Sequence, residues 1–196
     1  MAGFEPKATA FFACPIGRRA ALKAALGASL GLAPLGARAE GEIAQARPQE
    51  GDLLVRFGEE PRPLRVDDVA RTAAPIMAWP MEPATKTVRD GSRLNKVLVL
   101  RLEPDGLEAA TRERAADGVL AYSAVCPHTG CDVTGWQADR SVLVCPCHYS
   151  QYDPKDSAKV VAGPSPRRLA ALPLRNDDGR LVVAKPFAGR VGIQQT

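Results

Sequence analysis

A chain of 196 residues, 45% of them hydrophobic, can bury one substantial core with a small lobe attached to it. Its 26 Lys and Arg stand against 22 Asp and Glu, a formal charge of +4, and aromatic residues are only 5%, with no stretch in which basic and aromatic residues interleave. That balance argues against a nucleic-acid partner, and no phosphate-binding loop, activated serine or general base marks an independent catalytic site.

Near the start, Gly17-Arg18-Arg19-Ala20-Ala21-Leu22-Lys23 places an arginine pair ahead of an Ala- and Gly-rich run, Ala24 to Ala37, that contains Pro34. The run is short and weakly apolar beside the roughly 20 residues that a membrane-spanning helix needs. It ends in Ala37-Arg38-Ala39, an A-x-A cleavage pattern. The segment resembles a twin-arginine export signal: Leu22 and Lys23 agree with that motif, whereas Gly17 and Ala21 stand where Ser or Thr and Phe are usual. An uncleaved signal anchor is the other reading. Cleavage removes Lys7, Arg18, Arg19, Lys23 and Arg38 against Glu5 alone, leaving 21 basic and 21 acidic residues, so the mature chain is neutral. The expected location is the periplasm, with membrane association through an uncleaved leader or a partner as the alternative. Of five cysteines, Cys14 departs with the leader, and Cys126, Cys131, Cys145 and Cys147 fall within 22 residues, as metal sites and disulfides do.

Residues 40–50 read as a flexible polar lead-in, and residues 51–185 as one domain followed by a tail, 186–196. Short β-like runs punctuated by Gly, Pro and Asp follow one another. They are Asp52–Phe57, Ile76–Trp79, Lys96–Leu102, Val119–Val125, Ser141–Val144, Arg168–Leu174 and Arg180–Ala184. Asn176-Asp177-Asp178-Gly179 reads as the hairpin turn between the last two. Val66–Ala73 and Leu107–Ala116 are the two helical stretches, and Trp79 and Trp136 read as packing residues. Many short strands at regular spacing predict an all-β sandwich or barrel-like domain.

Two boxes stand out: Cys126-Pro127-His128-Thr129-Gly130-Cys131 and Cys145-Pro146-Cys147-His148-Tyr149-Ser150. By ligand type they are C-x-H, a gap of 16 residues, and C-x-x-H, and they hold both histidines of the chain. Each follows a predicted strand, and each has a proline after its first cysteine, which stiffens the loop. Two thiolates and two imidazoles suit tetrahedral zinc, although C-x-H is tighter than the spacing of about two to four residues usual in structural zinc knuckles. They also suit a 2Fe–2S cluster, which takes one Cys and one His from each of two loops. A disulfide cluster alone leaves the histidines without a role.

The paired boxes, each with its extra cysteine, resemble the Rieske proteins of cytochrome bc complexes and of arsenite-oxidase small subunits. The resemblance is strong over residues 118–185 and loose over 50–117. It implies an all-β Rieske fold, a sandwich-like base domain with a cluster lobe at about 122–167. It implies that Cys126 and Cys145 bind one iron, that His128 and His148 bind the other, and that Cys131 and Cys147 form a disulfide between the loops. Ser150 and Tyr152 stand where high-potential members donate hydrogen bonds, Ser150 to a bridging sulfide and Tyr152 to a cysteine sulfur. Tyr149 departs from the family's usual Gly. Gly163-Pro164-Ser165-Pro166 resembles the proline loop that covers the cluster's other side. Two imidazoles in place of two thiolates leave the oxidised cluster formally neutral, so such centres span about −150 to +300 mV, against about −400 mV for plant-type ferredoxins.

The function implied is one-electron transfer in the periplasm, as the small subunit of a respiratory oxidoreductase or a carrier for one. The partners implied are a large oxidoreductase subunit, a c-type cytochrome or a quinol-linked complex. A membrane-anchored, quinol-oxidising subunit of a bc-type complex is the rival, and Pro34 within the leader run speaks against it. Ferredoxin components of ring dioxygenases generally lack the second cysteine pair.

Overall fold

Two segments of the sequence are apolar at every position, Val97–Leu100 and Val119–Tyr122, a pattern that belongs to strands buried on both faces. The computed structural model describes residues 35–193 and shows both faces covered. The elements in order are α1 (Leu35–Gln45), β1 (Leu53–Arg56), β2 (Ile76–Met81), β3 (Val97–Arg101), α2 (Ala109–Arg112), β4 (Val119–Ser123), β5 (Gly135–Gln137), β6 (Val142–Val144), β7 (Gln151–Asp153), β8 (Lys159–Ala162), β9 (Leu174–Asp177) and β10 (Arg180–Val183). A six-stranded sheet runs β4-β3-β2-β1-β10-β9, and a four-stranded sheet runs β5-β6-β7-β8. Neighbouring strands pair antiparallel in both.

Leu98 pairs with Tyr122 and Leu100 with Leu120, one residue out of phase with Val99–Ala121 and Val97–Ser123. Because side chains alternate across a strand, the first set faces a core built with Cys126, Val133, Leu143, Cys145, Tyr152 and Leu169. The second faces a core built with Leu54, Leu64, Leu172, Leu181 and Val183. The pair β3–β4 is therefore the wall shared by the base domain and the smaller lobe, and the first cysteine box leaves directly from the end of β4.

Several expectations need correction. Residues 40–50 do not begin as an irregular lead-in: α1 runs to Gln45, Arg89 donates to the carbonyl of Ile43 within it (3.1 Å), and the segment after it is tied down by the Asn95 amide donating to the Ala46 carbonyl (2.8 Å). The arginine pair and most of the run after it lie outside the described residues. The stretch expected as a strand over Arg168–Leu174 is buried from Leu169 onward and runs beside β4, with the Ser123 and Leu172 amides bonded to the Ala170 and Ala121 carbonyls, but only Leu174 joins a named strand. Pro173, which has no N–H to give to a ladder, stands at that break. Val66–Ala73 shortens to a single 3-10 turn, Val66–Asp68, and Leu107–Ala116 to the four residues of α2. The hairpin between β9 and β10 turns through Asp178 (φ 50°) and Gly179 (φ 82°), both positive as a type I′ turn requires. Within the expected C-terminal tail, Ala188 and Ala171 exchange both backbone hydrogen bonds, at 2.7 and 3.1 Å.

Candidate metal centre

The two boxes fold into loops of one design. In the first, the Cys126 amide donates to the Cys131 carbonyl (2.8 Å) and the Gly130 amide to the Cys126 carbonyl (3.0 Å). In the second, the Cys145 amide donates to the Ser150 carbonyl (2.9 Å) and the Tyr149 amide to the Cys145 carbonyl (3.0 Å). The chain crosses into the left-handed region at matching positions, Gly130 (φ 81°) and Tyr149 (φ 56°). The first loop hangs from β4, and the second joins β6 to β7.

Cys131 and Cys147 are joined in a disulfide with Cα atoms 6.5 Å apart. The bond closes 16 residues of chain, a constraint worth about 3 kcal/mol in the chain-entropy model. The sulfurs of Cys131, Cys145 and Cys147 approach within 4.8 Å of one another, but two of them are in the disulfide and have no thiolate to give. Cys126 and Cys145 are the free cysteines of the described residues, and both are buried. Burial first, and then the adjacent Cys126, raise the pKa of the Cys145 thiol, so a cation beside that sulfur favours its thiolate form. The imidazoles of His128 and His148 meet edge to face with centroids 4.6 Å apart, and His128 Nδ1 is buried without a hydrogen-bond partner among the described residues. A buried ring nitrogen with no partner is a costly arrangement that a metal ion relieves.

The surrounding hydroxyls point the same way. Tyr152 is fully buried on β7, with its hydroxyl 3.1 Å from Cys126 Sγ. Ser150, also fully buried, accepts a hydrogen bond from the Ser165 amide (3.1 Å), and its own proton has no acceptor among the described residues. Ser165 lies in the loop 163–166, held against the second box. A Cβ on Gly163 would come within 2.5 Å of Ser150 Cα, and its φ is +85°, so only glycine fits there. Two free thiols, two imidazoles with one unpartnered nitrogen, and an unused hydroxyl proton together match the donors and acceptors of a 2Fe–2S cluster. Pro164 and Pro166, the other expected members of this loop, are exposed.

Sequence reasoning missed what anchors the first loop. Asp132 accepts from Lys96 (2.6 Å) and Arg93 (3.0 Å), and Arg93 also donates to the Gly130 carbonyl (2.6 Å). Next to the loop 163–166, Arg167 donates to the Gly192 carbonyl, and Ser165 donates to the carbonyl of Arg167 (3.0 Å). Apart from Ser165 and Arg167, these partners lie 25 to 39 residues apart in the chain, with no local pattern to connect them. Trp136 packs against the lobe core, and Trp79 stacks obliquely on Phe57 (5.9 Å), so neither is a free platform.

Residues 83–173 match the Rieske [2Fe-2S] domain family, a span containing both boxes. The chain is 32% identical over 147 residues to a cytochrome bc1 complex Rieske iron-sulfur subunit of Streptomyces lividans, covering 73% of this chain and 85% of that one. It is 40% identical over 97 residues to a Haloferax mediterranei protein named for a respiratory nitrate reductase Rieske subunit, covering 49% of this chain and 43% of that one. The soluble domain of the Rieske protein II from Sulfolobus acidocaldarius aligns at 23% identity with a TM-score of 0.38, over 52% of this chain and 68% of that one. The chain belongs to the Rieske family: it is an all-β iron–sulfur electron-transfer protein whose cofactor is a 2Fe–2S cluster. It spans less than half of the Haloferax relative.

Proposed function

We propose that this chain carries single electrons as an exported, periplasmic subunit of a respiratory oxidoreductase, with Cys126 and Cys145 holding one iron and His128 and His148 the other. The observation that carries the reading is the convergence of two buried free thiols and an unpartnered His128 Nδ1 under two loops joined by the Cys131–Cys147 disulfide. When bound, the cluster supplies the one-electron couple. The chain's own residues set its environment. The Tyr152 hydroxyl would donate to a thiolate at Cys126 Sγ, and Ser150, fully buried beside the loop 163–166, would offer its proton to the cluster. The disulfide holds both loops in register, and an oxidising compartment permits that bond. The arginine pair Arg18-Arg19 and the Ala37-Arg38-Ala39 pattern support the twin-arginine route, which exports proteins already folded.

A second reading follows from the Streptomyces relative, named as a bc1 complex subunit and spanned over 85% of its length. In that reading the chain oxidises quinol from a membrane anchor. Among the described residues no helix is long and apolar enough to cross a membrane. Film voltammetry of the exported protein tests the respiratory, high-potential setting: a reversible couple at roughly +100 to +300 mV is expected. A midpoint below about −100 mV, nearer the ferredoxin range, would count against it. The N-terminus separates the two settings, because cleavage gives a chain starting at Glu40, whereas the anchored form keeps residues 1–39 in the membrane fraction.

A further inference from the structure

We propose that a cleft beside the first cluster loop is the docking site for an acidic segment of the redox partner protein, whose carboxylates pair with Arg47, Arg93 and Arg190. The proposal rests on the electron-transfer reading. The cleft has a volume of about 760 Å³ and is bounded by these three arginines, the apolar side chains of Leu94, Val125 and Ile193, and the loop residues Thr129 and Gly130. No Asp or Glu lines it. Arg93 is held from behind by Asp132 and the Gly130 carbonyl. Arg47 donates only to the Leu94 carbonyl, and neither it nor Arg190 pairs with a carboxylate among the described residues. A chain whose mature form is neutral therefore concentrates three cations around one hollow.

The occupant follows from chemistry and shape. Guanidinium groups bind carboxylates in bidentate pairs, and the apolar floor, where Ile193 remains 48% exposed, suits an aliphatic side chain between two acids. A further hollow of about 310 Å³ shares Arg47, Arg190 and Val191 with the cleft, so the groove continues far enough for an extended segment. A flat bilayer surface does not reach the floor of such a concavity. The position suits electron transfer: Thr129, on the cleft wall, is adjacent in sequence to His128, and its hydroxyl lies 3.6 Å from Cys131 Sγ of the disulfide. Opposite charge on the partner steers encounter as well as holding it.

The test uses the full, cluster-loaded chain and a fluorescein-labelled peptide of alternating Glu and Leu, followed by anisotropy at low ionic strength. The Arg47→Glu/Arg190→Glu double variant should bind at least about tenfold more weakly, a difference of about 1.4 kcal/mol. Arg47→Lys/Arg190→Lys should keep most of the affinity, and Lys185→Glu, outside the cleft, should change it by less than about twofold. The EPR signal should be the same in all of them. Equal binding by wild type and the double Glu variant, or no binding by wild type, overturns the proposal. Arginine-dependent binding of phosphatidylglycerol vesicles without peptide binding also overturns it and assigns the cleft to a membrane surface. A wild-type sample without a cluster signal sinks the electron-transfer reading itself, whatever the peptide does.

Discussion

The Tyr152 hydroxyl lies 3.1 Å from the Cys126 sulfur, and the two residues arrive there from opposite sides of the site, one on β7 and one at the end of β4. Burial first, then Cys126, push the phenol's pKa up, so the hydroxyl keeps its proton, and toward a Cys126 thiolate, which has no proton to give, it can only donate. Such a bond stabilises the more negative, reduced cluster more than the oxidised one and raises the potential. Removing a bond worth about 1.4 kcal/mol more in the reduced state shifts a one-electron couple by about 59 mV. Tyr152→Phe should therefore lower the midpoint by roughly that amount, and Ser150→Ala should lower it in the same direction, with the cluster retained in both. Film voltammetry reads both shifts, and unmoved midpoints would remove the two hydroxyls from the tuning of the site.

Tyr149 occupies the left-handed position that glycine fills in the first loop. The left-handed region costs a residue with a Cβ about 1–2 kcal/mol, and glycine gives back about 0.5–1 kcal/mol through its freer unfolded chain. Tyr149→Gly should thus be neutral to about 1 kcal/mol stabilising, and Tyr149→Val, β-branched, should be destabilising. Denaturant unfolding of the three proteins gives the order Gly, Tyr, Val. A clear loss in the Gly variant would show that the ring, 72% exposed, contributes more than its backbone strain costs.

Asp52 and Arg89 form a bidentate pair at 2.6 and 2.8 Å, with side chains only 2% and 5% exposed. Asp52 also accepts from the Gln49 amide (2.7 Å), so the pair clamps the segment after α1 onto the base domain. Removing one partner strands a buried charge. Asp52→Ala should cost about 3–5 kcal/mol in urea unfolding, whereas replacing both residues with apolar ones should recover much of the loss. Equal losses in the single and double variants would show that the pair acts by shape alone.

Burial opposes ionisation of Asp132, but Lys96 and then Arg93 outweigh it and hold the carboxyl below its usual pKa. A carboxyl lowered on folding adds stability that is full above its unfolded value, about pH 4, and is lost as pH falls through the folded one. Solvent screening keeps the effect to about 0.5–1 kcal/mol. Asp132→Asn should cost that much at pH 7, less in high salt, and converge on wild type as pH falls well below 4. A gap between the two proteins that stayed constant with pH would assign Asp132 a role independent of its charge.

The chemistry of the site was legible because it is written locally: six residues of each box contain donors, stiffening prolines and the disulfide cysteines. The central strands were legible too, since Val97–Leu100 and Val119–Tyr122 leave no polar face. What escaped notice was either too short or too distant. Strands β5, β7 and β8 have only three or four residues, below the length at which alternation stands out, and Tyr152 sits on one of them. The clamps Asp52–Arg89 and Lys96–Asp132 join positions 37 and 36 residues apart, where no periodicity operates. Helix α1 was missed because its start belongs to a run that reads as an export leader.

Metal and sulfide analysis together with EPR of the protein matured in cells tests the central claim most directly. Two irons and two labile sulfides per chain are expected, with an average g value below that of the free electron, and loss of the signal in His128→Ala and Cys145→Ser. A colourless protein holding one zinc ion and no sulfide would contradict it.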